Sequence, residues 1–308
     1  MRRLIIAIPT YNREAYLKEC IRSIFNQTFQ DFEIVIFDNK SDFDIENTLD
    51  QFHDSRITLI KNDVNVGQLG NFDKIIHYQF DSPYLMIFHD DDTMHPHLLE
   101  RVINVMNNKS DLIWVGTGLR FVHDHVRMSQ FDEISGKIAS GIFDSAGLTR
   151  LLLGNFHLAF DTVLYKTNCL IDSKYFTSNY NKWFDRPFLI ELSKKGKIAV
   201  LNESLVNYRM HPGQVAKTDD CKRFSYIIGL FEFYRDSLPQ PMNTTDANLF
   251  LKWSTNNLIL SIASFSNSFI EYRNLLNQCQ KRNLFKWKYI NGRGLYYFIK
   301  AIINYYEK

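Results

Sequence analysis

Over roughly the first 120 positions, the chain alternates between two hydrophobic rhythms. One is the unbroken apolar run, rich in β-branched residues: LIIAI at 4–8, FEIVIFD at 32–38, ITLIKN at 57–62, YLMIFHD at 84–90 and LIWVGTG at 112–118. Such runs predict short strands buried on both faces. The other rhythm is helical, with apolar positions three to four apart across 12–27, 44–52, 67–80 and 95–108. Asn12 is a predicted N-cap and Pro96 suits a first turn. Strand–helix alternation of this kind predicts parallel βαβ units in a doubly wound sheet. Ligands of such sheets bind beyond the carboxyl ends of the strands. The residues at those ends are Pro9, Thr10, Tyr11 and Asn12, then Asp38 and Asn39, then Asn62 to Gly67, then His89 to Asp92. All four sets are polar and are expected to line one crevice.

The rhythm loosens across 119–215. Helices are predicted at 146–154 and at 184–196, the latter with Gly196 as a C-cap, and a strand at 197–202 ahead of the segment 204–215. From about 219 the pattern is helical, and no proline follows Pro241. This predicts one domain at 1–218, regular to about 118 and less regular over 119–218, and a helical region at 219–308.

Composition narrows the classes. With 308 residues, 45% hydrophobic and 23% charged, the chain has material for a large core. A formal net charge of +2 gives no footprint for nucleic acid. The four cysteines, Cys20, Cys169, Cys221 and Cys279, form no C-x-x-C pair, so they read as reduced thiols of a cytoplasmic protein. The first apolar run stops at Pro9, too short for a signal peptide, and no run approaches the ~18 residues of a membrane span.

The chemistry concentrates at FHDDD, Phe88 to Asp92. Three adjacent carboxylates at the end of a buried strand need compensation, because desolvated like charges are costly. A divalent ion supplies it: hard oxygen ligands hold Mg²⁺ or Mn²⁺ and leave places for phosphate oxygens. A phosphatase Asp-x-Asp-x-Thr reading fails because Met94 stands at the threonine position. Tyr11 can cover a base with its ring, and Asp38 can accept a hydrogen bond from a base edge. Asn65, Gly67 and Asn71 open a predicted helix, where close backbone approach and free N–H groups favour an anion, although capping accounts for them equally well. Arg209 and His211 lie two apart on an extended segment. The first has a fork of donors for phosphate and the second an imidazole for a metal.

Taken in order, IAIPTYNREAYLKECIRSIFNQ, NVGQLGN, FHDDDTMHP, WFDRPFLIELSKKGKI and VNYRMHPG resemble the motifs of family-2 glycosyltransferases of the GT-A fold, over about residues 4–215. The resemblance implies an α/β fold with a Rossmann-like mixed sheet flanked by helices, here with a helical C-terminal extension. It implies inverting transfer of a sugar from a nucleotide diphosphate, with uracil the usual base and Mn²⁺ or Mg²⁺ the usual ion, and makes 1–218 the catalytic domain, with a nucleotide-binding half near 1–118 and an acceptor half near 119–218. The family's acidic pattern is often Asp-x-Asp-Asp, and His89 stands in place of its first Asp. By that alignment Asp91 is the direct metal ligand, Asp90 faces the ribose or a metal-bound water, and Asp92 supports the turn or the acceptor side. Asp92 and His211 are the further metal candidates, with loop packing an equal reading for Arg209 and His211. Pro9, Thr10, Tyr11, Asn12, Asp38, Asn65, Gly67, Asn71 and Arg209 join Asp90 on the nucleotide side. Inversion requires a base on the acceptor side, and the family's Glu-Asp pair becomes Phe184-Asp185 here, leaving Asp185 for that role.

Two other readings stand beside this one. A nucleotidyltransferase would carry a glycine-rich phosphate loop after the first strand, which PTYNRE lacks. A nucleotide-sugar-binding protein without catalysis is consistent with His89 and with the missing Glu. The tail from 252 onward has nine basic residues against two acidic, a balance of 9 − 2 = +7, mixed with Trp287, Tyr296, Tyr297 and Phe298. That composition suits peripheral contact with an anionic membrane and a glycan or lipid-linked glycan acceptor. The alternative is a helical bundle that packs on the catalytic domain or forms a homo-oligomer; the bundle is the reading for the first of these helices and membrane contact for the last.

Overall fold

In a computed structural model, the described residues are 3–123, 140–154, 156, 158–170, 184–211, 223–263, 266 and 268–306. Cys221, His125, His157, Pro212 and Gly213 lie outside them, as does the expected boundary at 218–219. The chain divides into two compact units. One comprises Met1–Ser145, Phe156–Phe176 and Phe188–Lys217; the other comprises Ala146–Asn155, Thr177–Pro187 and Thr218–Lys308.

In the first unit the elements run β1 (Leu4–Thr10), α1 (Glu14–Phe25), β2 (Phe32–Asp38), α2 (Ile45–Asp50), β3 (Ile57–Lys61), α3 (Gly67–His77), β4 (Tyr84–Ile87), β5 (Thr93–Met94), α4 (Leu98–Asn108), β6 (Leu112–His123) and β7 (Gly141–Phe143). After α5 (Ser145–Leu153), which is shared with the second unit, come β8 (Val163–Lys166) and α6 (Thr167–Leu170). Then follow α7 (Asp185–Leu192), again shared, and β9 (Lys197–Met210).

The sheet order is β3-β2-β1-β4-β8-β6-β9-β5, with β7 on β9. The block β3-β2-β1-β4 is parallel, as the alternating rhythm predicts. Beyond β4 the sheet is mixed, because β8 inserts antiparallel between β4 and β6. Leu4, Ile6, Ile8, Ile34, Ile36 and Met86 form a fully buried layer beneath α1 and α4 residues such as Leu17, Ile21 and Val102. Burying one such side chain stabilises by about 1.5–3 kcal/mol, so this layer dominates the unit's stability.

Several local expectations change. The strand expected over 84–90 ends at Ile87, which leaves the acidic run in a turn rather than on the strand. Asn12 does not cap α1: it has φ 54, the N-cap position is Arg13, and that residue makes no side-chain cap bond. Instead Asn12 exchanges two hydrogen bonds with Asp42, Nδ2 to Oδ2 at 2.7 Å and Oδ1 from the Asp42 N–H at 2.7 Å, tying the loop after β1 to the loop after β2. The helix expected over 184–196 stops at Leu192 and continues as a 3₁₀ turn at Ser193–Lys195. Gly196 is extended, not left-handed, and a Cβ there would lie 2.7 Å from Ile113 Cγ2, so the glycine serves close packing rather than capping. The strand expected at 197–202 continues to Met210 and carries Arg209 back towards the acidic turn.

In the second unit, α8 (Arg223–Asp236), α9 (Thr244–Ala263), α10 (Phe269–Lys281) and α11 (Gly292–Tyr306) match the helical rhythm of the tail. Phe250, Leu258, Ile259, Ile262, Tyr272, Leu276 and Phe285 are buried among them. Arg150 of α5 grips Asp246 of α9 through two hydrogen bonds, Nε to Oδ1 at 2.8 Å and Nη2 to Oδ2 at 2.9 Å. Those bonds outweigh burial and hold the Asp246 carboxyl below its usual pKa. A depressed carboxyl contributes stability above its unfolded pKa of about 3.9 and loses it as pH falls through the folded value. Asp246→Asn is therefore expected to lower stability by about 1–2 kcal/mol at pH 7, with the deficit closing in denaturant melts below about pH 4.

Candidate active site

The crevice is built in the first unit from the loops after β1, β2, β3 and β4. The loop after β2 and the start of α3 are held by an asparagine network. Asn62 donates through Nδ2 to the side-chain oxygens of Asn39 and Asn71, both at 3.0 Å. The Asn39 amide group donates to Asn65 Oδ1 at 2.8 Å, and its oxygen accepts from the Val66 N–H at 2.9 Å. Asn71 is buried and donates to the Phe37 carbonyl at 2.9 Å. Asn65 also accepts from the Gly67 N–H at 2.8 Å. Gly67 has φ +75, a conformation that strains a side chain-bearing residue, and opens α3 with no side-chain cap. Asn65 and Asn71 thus shape the loop at the start of α3, where Asn65 takes the Gly67 N–H. Asp38 is buried and accepts from the Ser41 N–H at 3.0 Å, while Tyr11 is exposed at 41% beside this edge.

At the acidic turn a residue absent from the expected site supplies the compensation. Arg13 Nη1 lies 3.1 Å from Asp90 Oδ1 and 2.6 Å from Asp91 Oδ2. Thr10 Oγ donates to Asp90 Oδ2 at 2.7 Å, so Thr10 faces the carboxylates. His211 Nε2 is 3.0 Å from Asp91 Oδ2, and its ring lies 5.0 Å from that of Tyr16. Arg209 is buried: its backbone N–H donates to Asp92 Oδ1 at 2.7 Å, and its Nε donates to the Asp91 carbonyl at 2.8 Å. Its Nη2 pairs with Glu19, and its guanidinium lies 4.4 Å from the Tyr16 ring centre. The sequence thus hid Arg13, Tyr16 and Glu19. They sit at positions 13, 16 and 19 on one side of α1, a spacing that also reads as ordinary helix surface.

The carboxyls are not equivalent. Burial, then the Asp91 charge, pushes Asp90 up to about 6 despite Arg13. Burial also opposes the Asp91 charge, but the His211 hydrogen bond and Arg13 outweigh it and hold Asp91 below its usual value. Burial and the Asp91 charge drive Asp92 well up. Asp92 Oδ2 accepts no hydrogen bond. A fourth carboxyl, Asp161, comes from the 3₁₀ turn before β8 and is also fully buried. The hard-oxygen and imidazole set of Asp91, Asp92 and His211, with an orphaned oxygen on Asp92, fits a divalent ion.

Asp185 belongs to the second unit. It opens α7, half-buried, with its charge acting on the neighbouring Arg186, which hydrogen-bonds Tyr234.

The family description "Glycosyl transferase family 2" matches residues 5–168. The chain belongs to glycosyltransferase family 2. Among relatives, it is 25% identical over 218 residues to an "Uncharacterized glycosyltransferase" of Haemophilus influenzae, covering 68% of this chain and 66% of that protein, just under two thirds of its length. Among solved structures, it is similar to residues 1–349 of S. aureus TarS in complex with UDP-GlcNAc, with a TM-score of 0.67, 15% identity, and coverage of 98% of this chain and 89% of that one. It is also similar to the mannosyltransferase PcManGT of Pyrobaculum calidifontis in complex with GDP-Man and Mn²⁺, with a TM-score of 0.53, 14% identity, and coverage of 99% and 87%. These likenesses bear out the GT-A fold that the motif order implied. The family-2 match spans the crevice loops, the acidic turn and Asp161.

Proposed function

We propose that this family-2 member is an inverting glycosyltransferase. It moves a sugar from a nucleoside diphosphate donor, a UDP-sugar, to a hydroxyl of a glycan acceptor. The observation that carries the reading is the acidic turn at the carboxyl end of β4, beside the loops after β1, β2 and β3 in one unit. That position is where doubly wound sheets take nucleotides. The TarS neighbour's UDP-GlcNAc and the PcManGT neighbour's GDP-Man and Mn²⁺ support a nucleotide-sugar donor and a divalent ion.

In this reading Tyr11 covers the base and Asp38 accepts from its edge. Pro9, Thr10 and Asn12 shape the loop below it. Asn65, Gly67 and Asn71 present the α3 N-terminus to the donor, and Asp90 faces the ribose. Asp91, Asp92 and His211 would hold Mn²⁺ or Mg²⁺, which when bound neutralises the departing diphosphate. Arg209 adds positive charge on the same side. The acceptor hydroxyl oxygen bonds to the anomeric carbon as the carbon–oxygen bond to the diphosphate breaks. Asp185 takes the hydroxyl proton and the nucleoside diphosphate leaves.

Screening nucleotide sugars by thermal shift with Mn²⁺, followed by transfer assays on glycan acceptors, tests the reading. A UDP-sugar that stabilises the protein and is consumed with acceptor supports it, and no stabilisation by any nucleotide sugar sinks it.

The acceptor is proposed to be lipid-linked and reached at the inner membrane face. Among the described residues no helix is long and apolar enough to cross a membrane. On α11, however, Leu295, Tyr296, Ile299 and Ile303 are all exposed, one turn apart, with Arg293 and Lys300 exposed at one edge. An apolar stripe with a basic border suits an anionic lipid surface. Ile299→Glu is expected to cut co-sedimentation with phosphatidylglycerol vesicles severalfold and to leave binding to neutral vesicles low. Equal sedimentation of both proteins would remove the lipid contact.

A further inference from the structure

Beside the acidic turn lies a second set of ligand atoms, which shares Asp92 with the donor-facing set and adds His89 and Asp161, two residues with no part in the transfer reaction. Asp161 lies in the stretch FDT between two apolar runs, 69 positions beyond Asp92 in sequence, since 161 − 92 = 69. The fold nevertheless brings it against the acidic turn. Its side chain is fully buried, and neither carboxylate oxygen accepts a hydrogen bond. Facing it is Asp92 Oδ2, also buried and also without a hydrogen bond. His89 completes the group, with Nδ1 at 3.5 Å from Asp92 Oδ2. One ligand atom from each of His89, Asp92 and Asp161 can be chosen so that all lie within 4.8 Å of one another.

The charge distribution singles out this side of the turn. Asp90 and Asp91 already have Arg13, and Asp91 has His211 as well. Asp92 Oδ1 has the Arg209 N–H. The three remaining oxygens, Asp92 Oδ2 and both of Asp161, have no hydrogen bond from any group outside the facing carboxyl pair. Two ionised carboxylates facing each other in a buried site need a cation or a shared proton between them. The imidazole argues for the cation, because it brings a nitrogen ligand to the open oxygens. Opposite ligands of an ion with bonds of about 2.1 Å are about 4.2 Å apart, so the present span closes with small side-chain rotations.

We propose that His89, Asp92 and Asp161 form a second divalent-cation seat, distinct from the donor-facing Asp91 and His211. Its two carboxylates and one imidazole suit a borderline ion such as Mn²⁺ better than Mg²⁺, which favours an all-oxygen shell. Because all three ligands come from the protein, this seat fills without nucleotide. Replacement of the family's first Asp by His89 and the presence of Asp161 become one feature, two halves of a single ligand set.

The test is Mn²⁺ binding to the nucleotide-free, full-length protein, followed by electron paramagnetic resonance. Nitrogen coupling to the bound ion is read by electron spin-echo modulation. The wild-type protein is expected to bind Mn²⁺ with a nitrogen coupling that vanishes in His89→Gln and persists in His211→Gln. Asp161→Asn is expected to weaken Mn²⁺ binding by more than about tenfold, with a thermal melt confirming a folded variant. A coupling lost in His211→Gln and kept in His89→Gln would place the ion at Asp91 and overturn the proposal. Unchanged Mn²⁺ affinity in Asp161→Asn would overturn it in favour of a proton shared by the two carboxyls. Absence of any Mn²⁺ binding without nucleotide would overturn it as well.

Discussion

Asp185→Asn is expected to reduce sugar transfer by about 10²–10⁴-fold while leaving donor affinity within about twofold of wild type. The asparagine has the same shape and keeps hydrogen-bonding capacity, but it cannot take the acceptor proton. Donor binding is expected to be spared because the proposed base acts on the acceptor hydroxyl and Asp185 is not among the proposed donor contacts. The substitution also leaves the Arg186–Tyr234 hydrogen bond in place, so the fold of the second unit should persist. The measurement is a split one: single-turnover transfer rates beside calorimetric titration of the nucleotide sugar. Wild-type turnover in Asp185→Asn would remove the base assignment. A parallel loss of donor affinity would show instead that the carboxylate binds donor.

Asp91→Asn is expected to produce the complementary pattern, a loss of ion-dependent donor binding by about tenfold to a hundredfold. Asp91 is the carboxyl held ionised, by the His211 hydrogen bond and Arg13 working against burial, and so the one best prepared to meet a cation. Its loss also relieves the repulsion that, after burial, lifts Asp90 to about 6. The ion-free variant should nevertheless melt lower than wild type, because Arg13 and His211 lose a charged partner, so donor titrations are made at a temperature where melts show both proteins folded. Titrations of the UDP-sugar with and without Mn²⁺ read the effect directly. Identical ion dependence in wild type and variant would sink the role of Asp91.

Legibility from sequence follows a physical boundary. The block β3-β2-β1-β4 was readable because its strands are buried on both faces, and burial writes itself as unbroken runs such as LIIAI and FEIVIFD. The tail helices were readable from their spacing. By contrast β8 was missed: VLYK is four residues long and is defined only by pairing with Tyr84–Met86 on one side and Trp114–Gly116 on the other. Asn12 reads as a cap in any local window, and only its partner Asp42, 30 positions away, pulls it into another role.

The acidic run shows the same division. Sequence alone determined that three carboxylates end a buried segment at the ligand edge of the sheet, because apolar runs and charge are local properties. Sequence order, read as a family resemblance, brought Tyr11, Asp38, the acidic run and His211 into one expected site. Only the tertiary structure decided what answers the charge. Arg13 reaches Asp90 and Asp91, His211 reaches Asp91, and Arg209 is committed to Asp91, Asp92 and Glu19. Asp161 arrives from a distant turn to face Asp92, with no cationic partner at hydrogen-bond distance. These contacts join residues 77 to 190 positions apart. Electrostatic energy depends on distance in space and on burial, and neither is a property of sequence neighbours.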